Sequence, residues 1–305
     1  MRKVILDTDI GSEMTDAATL CMVASAPELE LLAVTTVTND TRFRASVAAL
    51  FLDLLGKNIP IAAGHGSGGE HVWEKSILFP GGYSPAELDE RSAAQLIVDT
   101  VNKYPNEVSI LGIGTLTNIA EALELDPELP RKTQELLLMG GMITPPIVEG
   151  KQIPIGFEYN FCNDNVAATK VVSAGFNLTI LPGDVTFLEA DPWSAEEVAY
   201  IASIKHRAVS LLSQLQNRSI VEAREGLIRA GLPIEFARHW INDELLSTYV
   251  LDPDLYKTVH THIQWRLEGK YPIITLADAG YPVRILTGVN FVEARKFILN
   301  RLAAL

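Results

Sequence analysis

Close to the first residue lies the segment Val4-Ile5-Leu6-Asp7-Thr8-Asp9-Ile10-Gly11. Its apolar residues predict a buried strand, and Gly11 predicts a turn directly after that strand. Asp7 and Asp9 stand at alternate positions where the strand ends, and Asp16 follows after a short step. In open α/β sheets, ligands bind at the carboxyl ends of the strands. The segment therefore predicts an α/β sheet with an acidic site at the end of its first strand.

The three carboxylates of Asp7, Asp9 and Asp16 suggest a metal site. Clustered acidic groups repel one another, and a bound cation offsets that repulsion. Oxygen ligands favour Ca²⁺ or Mg²⁺ over zinc. A solvated Asp-rich turn or a helix N-cap is the alternative interpretation for any one of these residues.

Length and composition favour one large domain that binds a small molecule. The chain has 305 residues, of which 48% are hydrophobic, so it can bury a sizeable core. No linker, charge block or fixed repeat divides it, and we expect a single domain over 1–305. The net charge of −13 argues against a nucleic-acid or anionic-membrane partner, since phosphate groups are bound by clustered Lys and Arg.

The cysteines and the first strand bear on location. Cys21 and Cys162 lie in apolar surroundings and form no CxxC pair, which is typical of reduced thiols in the cytosol. The first predicted strand begins almost at Met1 and leaves no room for a signal peptide. No run of about 18 apolar residues predicts a membrane span. We expect a cytoplasmic protein with no membrane partner.

Strand and helix patterns alternate along the chain, which predicts a Rossmann-like α/β domain: a mostly parallel central sheet with helices on both faces. Strands are predicted over 3–7, 30–36, 107–113, 134–139, 176–182 and 283–287. Helices are predicted over 16–25, 42–55, 91–103, 116–124, 164–173, 194–230 with a break, 234–247 and 290–303. The stretch 261–275 suggests a hairpin at a sheet edge. The Gly- and Pro-rich segments 64–90 and 140–157 are either lids or plain surface loops.

Polar residues follow several of the other predicted strands. They include Asn39, Thr117, Asn118 and Asp184. Helix capping is the simple role for Thr117 or Asn118 alone, whereas the series of polar strand ends predicts a shared cleft.

Two further segments carry candidate site residues. Glu158 and Asn160 alternate with aromatic residues, and Asp164 is predicted to cap the following helix. A carboxylate beside an amide suits the vicinal hydroxyls of a sugar. Asp243 opens or lies within a helix, where a solvated position is the default interpretation.

Together these motifs resemble the nucleoside hydrolase family of the inosine/uridine-preferring type. The resemblance rests on Asp-Thr-Asp-Ile-Gly with Asp16-Ala17, on Val34-Thr35-Thr36-Val37-Thr38-Asn39 and on later motifs in the same order. The later motifs are Leu116-Thr117-Asn118-Ile119-Ala120, Met139-Gly140-Gly141, Glu158-Tyr159-Asn160 with Asp164, Asp184-Val185-Thr186, Asn242-Asp243-Glu244-Leu245 and Leu251-Asp252-Pro253-Asp254-Leu255.

The resemblance implies a calcium-dependent N-ribohydrolase that cleaves ribonucleosides into base and ribose. Asp9 and Asp16 would bind Ca²⁺ by carboxylate, Thr117 by its backbone carbonyl, and Asp243 would close the site. Asp9 would also be the general base, with Asp7 supporting the water or the metal. Members of the family are commonly dimers or tetramers, so a homodimer or homotetramer is expected.

The same resemblance implies the substrate contacts. Asn39, Glu158 and Asn160 would hold the ribose hydroxyls. Trp73 and Trp240 are candidates for stacking on a purine, against the alternative of tryptophans that anchor a loop or the core.

Several family positions are altered in this chain. Thr15 stands where a carboxylate is usual, and Glu13 is a longer acid. Lys151-Gln152-Ile153-Pro154 replaces an Asn-x-Thr-Pro loop. Asn242, which we place beside the substrate, replaces a histidine that can protonate the leaving base, and an amide cannot act as a general acid.

Two other functions remain open from the sequence. Asp7-Thr8-Asp9 also matches the nucleophile and acid of haloacid-dehalogenase-like phosphatases, although the remaining motifs of that family are not convincing in order. Alternatively, the substitutions at Thr15, Lys151 and Asn242 suit a non-catalytic protein that binds ribose or nucleosides. Calcium-dependent base release without phosphate release would separate the first case, and tight binding without turnover the second.

Overall fold

The computed structural model describes residues 1–11, 14–66, 78–82, 84, 87–144, 147–148, 151–152, 158–188, 192–230, 234, 237–269 and 271–305. Its strands are β1 (Arg2–Thr8), β2 (Leu29–Thr36), β3 (Ile61–Ala63), β4 (Val108–Gly112), β5 (Glu135–Met139), β6 (Ile147–Val148), β7 (Lys151–Gln152), β8 (Leu178–Leu181), β9 (Tyr256–Glu268), β10 (Tyr271–Ala277) and β11 (Tyr281–Val289).

The helices of the described residues alternate with these strands. They are α1 (Met14–Ser25), α2 (Thr41–Leu54), α3 (Ala93–Lys103), α4 (Thr117–Leu125), α5 (Leu129–Lys132), α6 (Tyr159–Asn163), α7 (Asn165–Val172), α8 (Ala195–Ser203), α9 (Arg207–Ala230), α10 (Asp243–Leu251) and α11 (Phe291–Ala303). A π-helical turn spans Asp184–Leu188 and a 3₁₀ turn spans Pro253–Leu255.

A nine-stranded sheet forms the centre of the fold, in the order β10-β9-β11-β8-β5-β4-β1-β2-β3. The seven strands from β3 to β11 in this order are parallel to one another. Only β9, between β11 and β10, runs against both neighbours. The mostly parallel α/β sheet is therefore confirmed, as is the hairpin at its edge.

Helices cover both faces of the sheet, as predicted. Val4 and Leu6 belong to one buried cluster and Ile5 to another, because successive strand residues point to opposite faces. The first cluster includes residues of α1, α2, α9, α10 and α11, and the second includes residues of α3, α4 and α7. Among the described helices, none has the length and apolar character needed to cross a membrane.

The remaining element predictions fare differently. The long helix predicted over 194–230 is broken at 204–206, as expected. The strand β3 was not predicted, and the segment 140–157 contains the short antiparallel pair of β6 and β7.

The helix predicted over 234–247 is wrong, because residues 237–242 are not helical and α10 begins only at Asp243. Other hydrogen bonds take up backbone groups before that point. The backbone N–H of Trp193, from a distant segment, donates to the carbonyl of His239 at 2.9 Å. Locally, the backbone N–H of Asn242 donates to Glu244 Oε2 at 3.2 Å.

Candidate active site

Asp7 lies at the end of β1 and is completely buried. Its Oδ1 accepts hydrogen bonds from Thr35 Oγ1 at 2.6 Å and from Asn118 Nδ2 at 2.7 Å. Its Oδ2 is buried and has no hydrogen-bond partner in the described part of the chain. Burial raises the pKa of Asp7 to about 7, because desolvation disfavours the charged form. One oxygen of this carboxylate is therefore left for a ligand.

Asn118 joins two strand ends instead of capping a helix. Its Nδ2 also donates to the carbonyl of Thr36 at 3.1 Å. The capping role considered for Thr117 and Asn118 is wrong, because Leu116 is the N-cap of α4 and makes no side-chain capping bond. Gly64 leaves room for the amide: a Cβ there would lie 1.9 Å from Asn118 Oδ1.

Asp9, Asp16 and Asp243 are buried and close enough for the charges of Asp9 and Asp243 to act on Asp16, and the charge of Asp9 also acts on Asp7. Thr8 Oγ1 donates to Asp16 Oδ1 at 2.6 Å, and Thr15 Oγ1 donates to Asp243 Oδ2 at 2.7 Å. Asp16 is hydrogen-bonded to Asp9. Burial raises the pKa of Asp16 well above its usual value, and the charges of Asp9 and Asp243 raise it further. The structure thus brings together the acidic residues that the sequence analysis assigned to one site.

Arg44, on α2, brings positive charge to this cluster and was missed by the sequence analysis. Its side chain is only 1% exposed. Burial raises the pKa of Asp9, and the charge of Arg44 opposes that rise. An arginine inside an amphipathic helix gives no sequence signal that separates it from a solvated one.

The residues predicted to hold a sugar lie on α6 and on the loop after β2. Asn39 has a left-handed backbone, with φ +54°, and is hydrogen-bonded to the Tyr159 hydroxyl. Glu158 caps α6 by accepting from the N–H groups of Asn160 at 2.8 Å and Phe161 at 3.0 Å. Burial raises the pKa of Glu158 to about 7, and backbone donors oppose the rise.

Asn160 and Thr117 are engaged with the protein itself. Asn160 Nδ2 donates to the carbonyls of Met139 at 2.9 Å and Ile113 at 3.1 Å, so it ties β5 to the end of β4. Thr117 Oγ1 donates to Asp164 Oδ2 at 2.6 Å. Asp164 caps α7 by accepting from the Ala167 N–H at 3.0 Å, as predicted.

Of the two tryptophans predicted to stack on a base, only Trp240 lies among the described residues. Trp240 is half-buried and packs against Phe187, with ring centroids 5.4 Å apart at an interplanar angle of 37°. Trp73 lies outside the described residues. Asn242 is half-buried, and its side-chain amide lies 3.1 Å from the carbonyl of Thr186. Trp240 and Asn242 therefore both contact the π-helical turn.

The cysteines are both free, as predicted, but only Cys21 is buried in the core. Cys162, two residues after Asn160, is half-buried.

The donor set of the acidic cluster fits a hard cation in its chemistry. Carboxylate oxygens are the ligands that Ca²⁺ and Mg²⁺ prefer, and the unpartnered Oδ2 of Asp7 lies beside them. Within the described ranges, however, no three His, Cys, Asp or Glu side chains are arranged as a ready metal centre. Threonine hydroxyls donate to one oxygen each of Asp16 and Asp243, and a carboxylate has two oxygens, so these hydrogen bonds are compatible with binding of an ion.

Comparison with known proteins identifies relatives across the whole chain. The model of the family described as inosine-uridine preferring nucleoside hydrolase matches residues 4–292. A protein of that name from Crithidia fasciculata is 28% identical over 302 residues, covering 92% of this chain and 89% of its own. A solved plant nucleoside hydrolase superposes with a TM-score of 0.82 at 20% identity, covering 100% of this chain and 99% of its own. A purine-preferring ribonucleoside hydrolase from Gardnerella vaginalis superposes with a TM-score of 0.80 at 22% identity, covering 99% and 98%.

Proposed function

This chain belongs to the nucleoside hydrolase family, and on that premise we propose that it is a calcium-dependent N-ribohydrolase that cleaves ribonucleosides into base and ribose. Enzymes of the family hydrolyse N-glycosyl compounds and are metal-dependent in general. The observation that carries the proposal is the buried cluster of Asp7, Asp9, Asp16 and Asp243. Buried charges are stable when they are paired or coordinate a metal, so a cluster of this kind suits a cation together with a polar substrate.

Asp9 is the proposed general base. Its carboxylate accepts the proton of a water as the water oxygen adds to the anomeric carbon. The N-glycosidic bond breaks, and its electron pair moves to the base nitrogen. Cleavage passes through an oxocarbenium-like ribosyl cation, which the surrounding carboxylates stabilise. Arg44 counteracts the effect of burial and thereby favours the ionised form of Asp9 that this step needs.

The proposed metal ligands are Asp9, Asp16 and Asp243 by carboxylate and Thr117 by its backbone carbonyl, with Asp7 in support. When bound, Ca²⁺ would supply positive charge that orients sugar hydroxyls and makes the attacking water more acidic. Asp7 accepts two hydrogen bonds at Oδ1 and keeps Oδ2 for that water or for the ion.

The ribose is proposed to lie between Asn39 and the start of α6. Glu158 is ordered by the backbone N–H groups that it caps. Asn160 donates from Nδ2 to two backbone carbonyls, so its Oδ1 is the atom proposed to accept a hydrogen bond from a ribose hydroxyl. Trp240 and Asn242 would face the base, and Trp73 is retained as a second stacking candidate.

The proposal includes the organisation of the protein. We propose that residues 1–305 act as one catalytic domain and that the protein is a homodimer or homotetramer. Size-exclusion chromatography with light scattering measures this directly, and a monomer at micromolar concentration would contradict it.

The function is tested with a panel of ribonucleosides, measuring reducing-sugar release with Ca²⁺ and with a chelator. Release of ribose from at least one ribonucleoside, lost on chelation and absent in Asp9→Asn, is expected. Asp53→Asn, which alters an exposed carboxylate on α2, serves as the control with unchanged activity.

The same panel decides against the alternatives. Binding of ribonucleosides in calorimetry without sugar release would indicate a non-catalytic binder. Release of phosphate from a phosphomonoester without sugar release would indicate a phosphatase. Either result would overturn the proposal.

A further inference from the structure

Arg44 donates hydrogen bonds to two loops, and each loop carries a different residue of the candidate site. Its Nε donates to the carbonyl of Thr38 at 2.8 Å, and its Nη1 donates to the carbonyl of Ile10 at 3.0 Å. Ile10 directly follows Asp9, and Thr38 directly precedes Asn39. One guanidinium therefore holds the backbone next to the proposed base and next to a proposed sugar ligand.

Both loops have unusual backbone at the contacts. Thr38 and Asn39 have φ values of +72° and +54°, and this left-handed region is unfavourable for a β-branched residue such as threonine. Gly11, next to Ile10, has a φ of +110°. Strained residues persist only where surrounding contacts hold them. The bonds from Arg44 are contacts of that kind, together with the bond between the Thr38 and Thr115 hydroxyls at 2.9 Å.

We propose that Arg44 is a positioning residue that sets Asp9 and Asn39 in register with each other by holding the carbonyls of Ile10 and Thr38 together. The proposal rests on the function proposed above, because it gives both residues a role in one reaction. Arginine suits the task because its planar guanidinium donates in fixed directions to two acceptors, whereas lysine offers a single flexible ammonium.

The test compares Arg44→Gln and Arg44→Lys with wild type and with a matched control, Arg42→Gln. Arg42 lies on the same helix and is exposed. Since a misplacement of about 1 Å at a reacting centre costs about 10²-fold, R44Q is expected to lower kcat/KM by about that factor. The loss should be divided between a lower kcat, from Asp9, and a higher KM, from Asn39. R44K should retain part of both values, and R42Q should match wild type.

A merely structural role gives a different pattern. Loss of folded enzyme lowers the apparent kcat but leaves the KM of the remaining molecules unchanged, so an unchanged KM in folded R44Q and R44K would overturn the proposal. If both variants fail to fold, Gly11→Ala and Thr38→Gly disturb one loop each and leave Arg44 in place. G11A should lower mainly kcat and T38G should raise mainly KM. The same effect from both variants would overturn the proposal.

Thermal unfolding separates this inference from the proposed function. Absence of sugar release by wild type would overturn the function. In that case the contact of Arg44 with the Thr38 loop is still tested by adding T38G to each arginine variant. T38G should restore part of the Tm that R44K loses, and it should leave the Tm of R42Q unchanged. Equal shifts in both backgrounds would overturn the inference.

Discussion

Replacing Asp7 by Asn should stabilise the metal-free protein at neutral and alkaline pH. Burial raises the pKa of Asp7 from 3.8 to about 7, so the folded state binds a proton more tightly than the unfolded state does. The stability contributed by that proton is fully present below pH 3.8 and is lost as the pH rises through about 7. A shift of about 3 pKa units corresponds to ~4 kcal/mol in total, at 1.36 kcal/mol per unit.

The substitution keeps the contacts of one oxygen and changes the other. An Asn oxygen can still accept from Thr35 Oγ1 and Asn118 Nδ2. Its NH₂ group takes the place of the unpartnered Oδ2, and a buried donor without a partner costs about 1–3 kcal/mol. At pH 8 the net gain should therefore be about 1–3 kcal/mol. The gain accompanies a loss of activity, which is the usual trade between stability and function at active sites.

Urea unfolding in the presence of a chelator, at pH 5 and pH 8, measures the effect. Between these values the free energy of unfolding of wild type should fall by about 2.5 kcal/mol more than that of D7N, by proton linkage. Asp53→Asn, at an exposed position on α2, should follow wild type. If D7N falls as steeply as wild type, Asp7 is not the group that titrates, and the reasoning from its burial is refuted.

Three further predictions concern the chemistry of the site. Asp9→Asn should abolish ribose release, and removal of Ca²⁺ by a chelator should do the same. If Asp9→Asn keeps most of the wild-type rate, Asp9 is not the general base. Thr15→Asp should tighten Ca²⁺ binding in calorimetry about tenfold or more, since it adds a negative charge beside Asp243. Thr15→Val removes the hydroxyl donor of Asp243 and adds no charge, so equal affinity in all three proteins would contradict the prediction. Para-nitrophenyl riboside should be cleaved about 10²–10⁴-fold faster than inosine, because Asn242 cannot supply the proton that general-acid catalysis contributes. Comparable rates on the two substrates would show that another group donates the proton. If His239→Ala then lost only the inosine activity, His239 would be that group.

The fold was predictable because its sheet is built from local patterns. Strands buried on both faces read as short apolar runs, and the helices between them read as amphipathic segments. The strand Ile61–Ala63 escaped detection because three residues are too few to show a period. The segment before Asp243 has apolar residues at helical spacing, but its His239 carbonyl is bound by the Trp193 N–H, a contact that no local pattern encodes.

Asp243 was assigned to the candidate site only through the family resemblance, because it lies inside the helix predicted over 234–247. By contrast, Asp7, Asp9 and Asp16 were predictable as a cluster because they stand at or next to the ends of predicted elements. Their partners were not, because the partners come from elsewhere in the chain. Asn118 reaches Asp7 from 111 residues away, and the hydroxyl of Thr15 reaches Asp243. Arg44 was missed because a charged residue on a helix usually faces water. Its burial depends on the neighbouring loops, which no local pattern encodes.

The hydrogen bond from Thr15 to Asp243 joins positions 228 residues apart. The candidate site is therefore completed late during synthesis of the chain. At a translation rate of about 5–20 residues per second, roughly 10–45 s separate the addition of these two residues. During that interval the growing chain carries Asp7, Asp9 and Asp16 without the fourth carboxylate and without the helix that presents it. The ion binding that we propose for this cluster therefore requires the last fifth of the polypeptide, and a nascent chain halted before Asp243 should not compete with the finished protein for calcium.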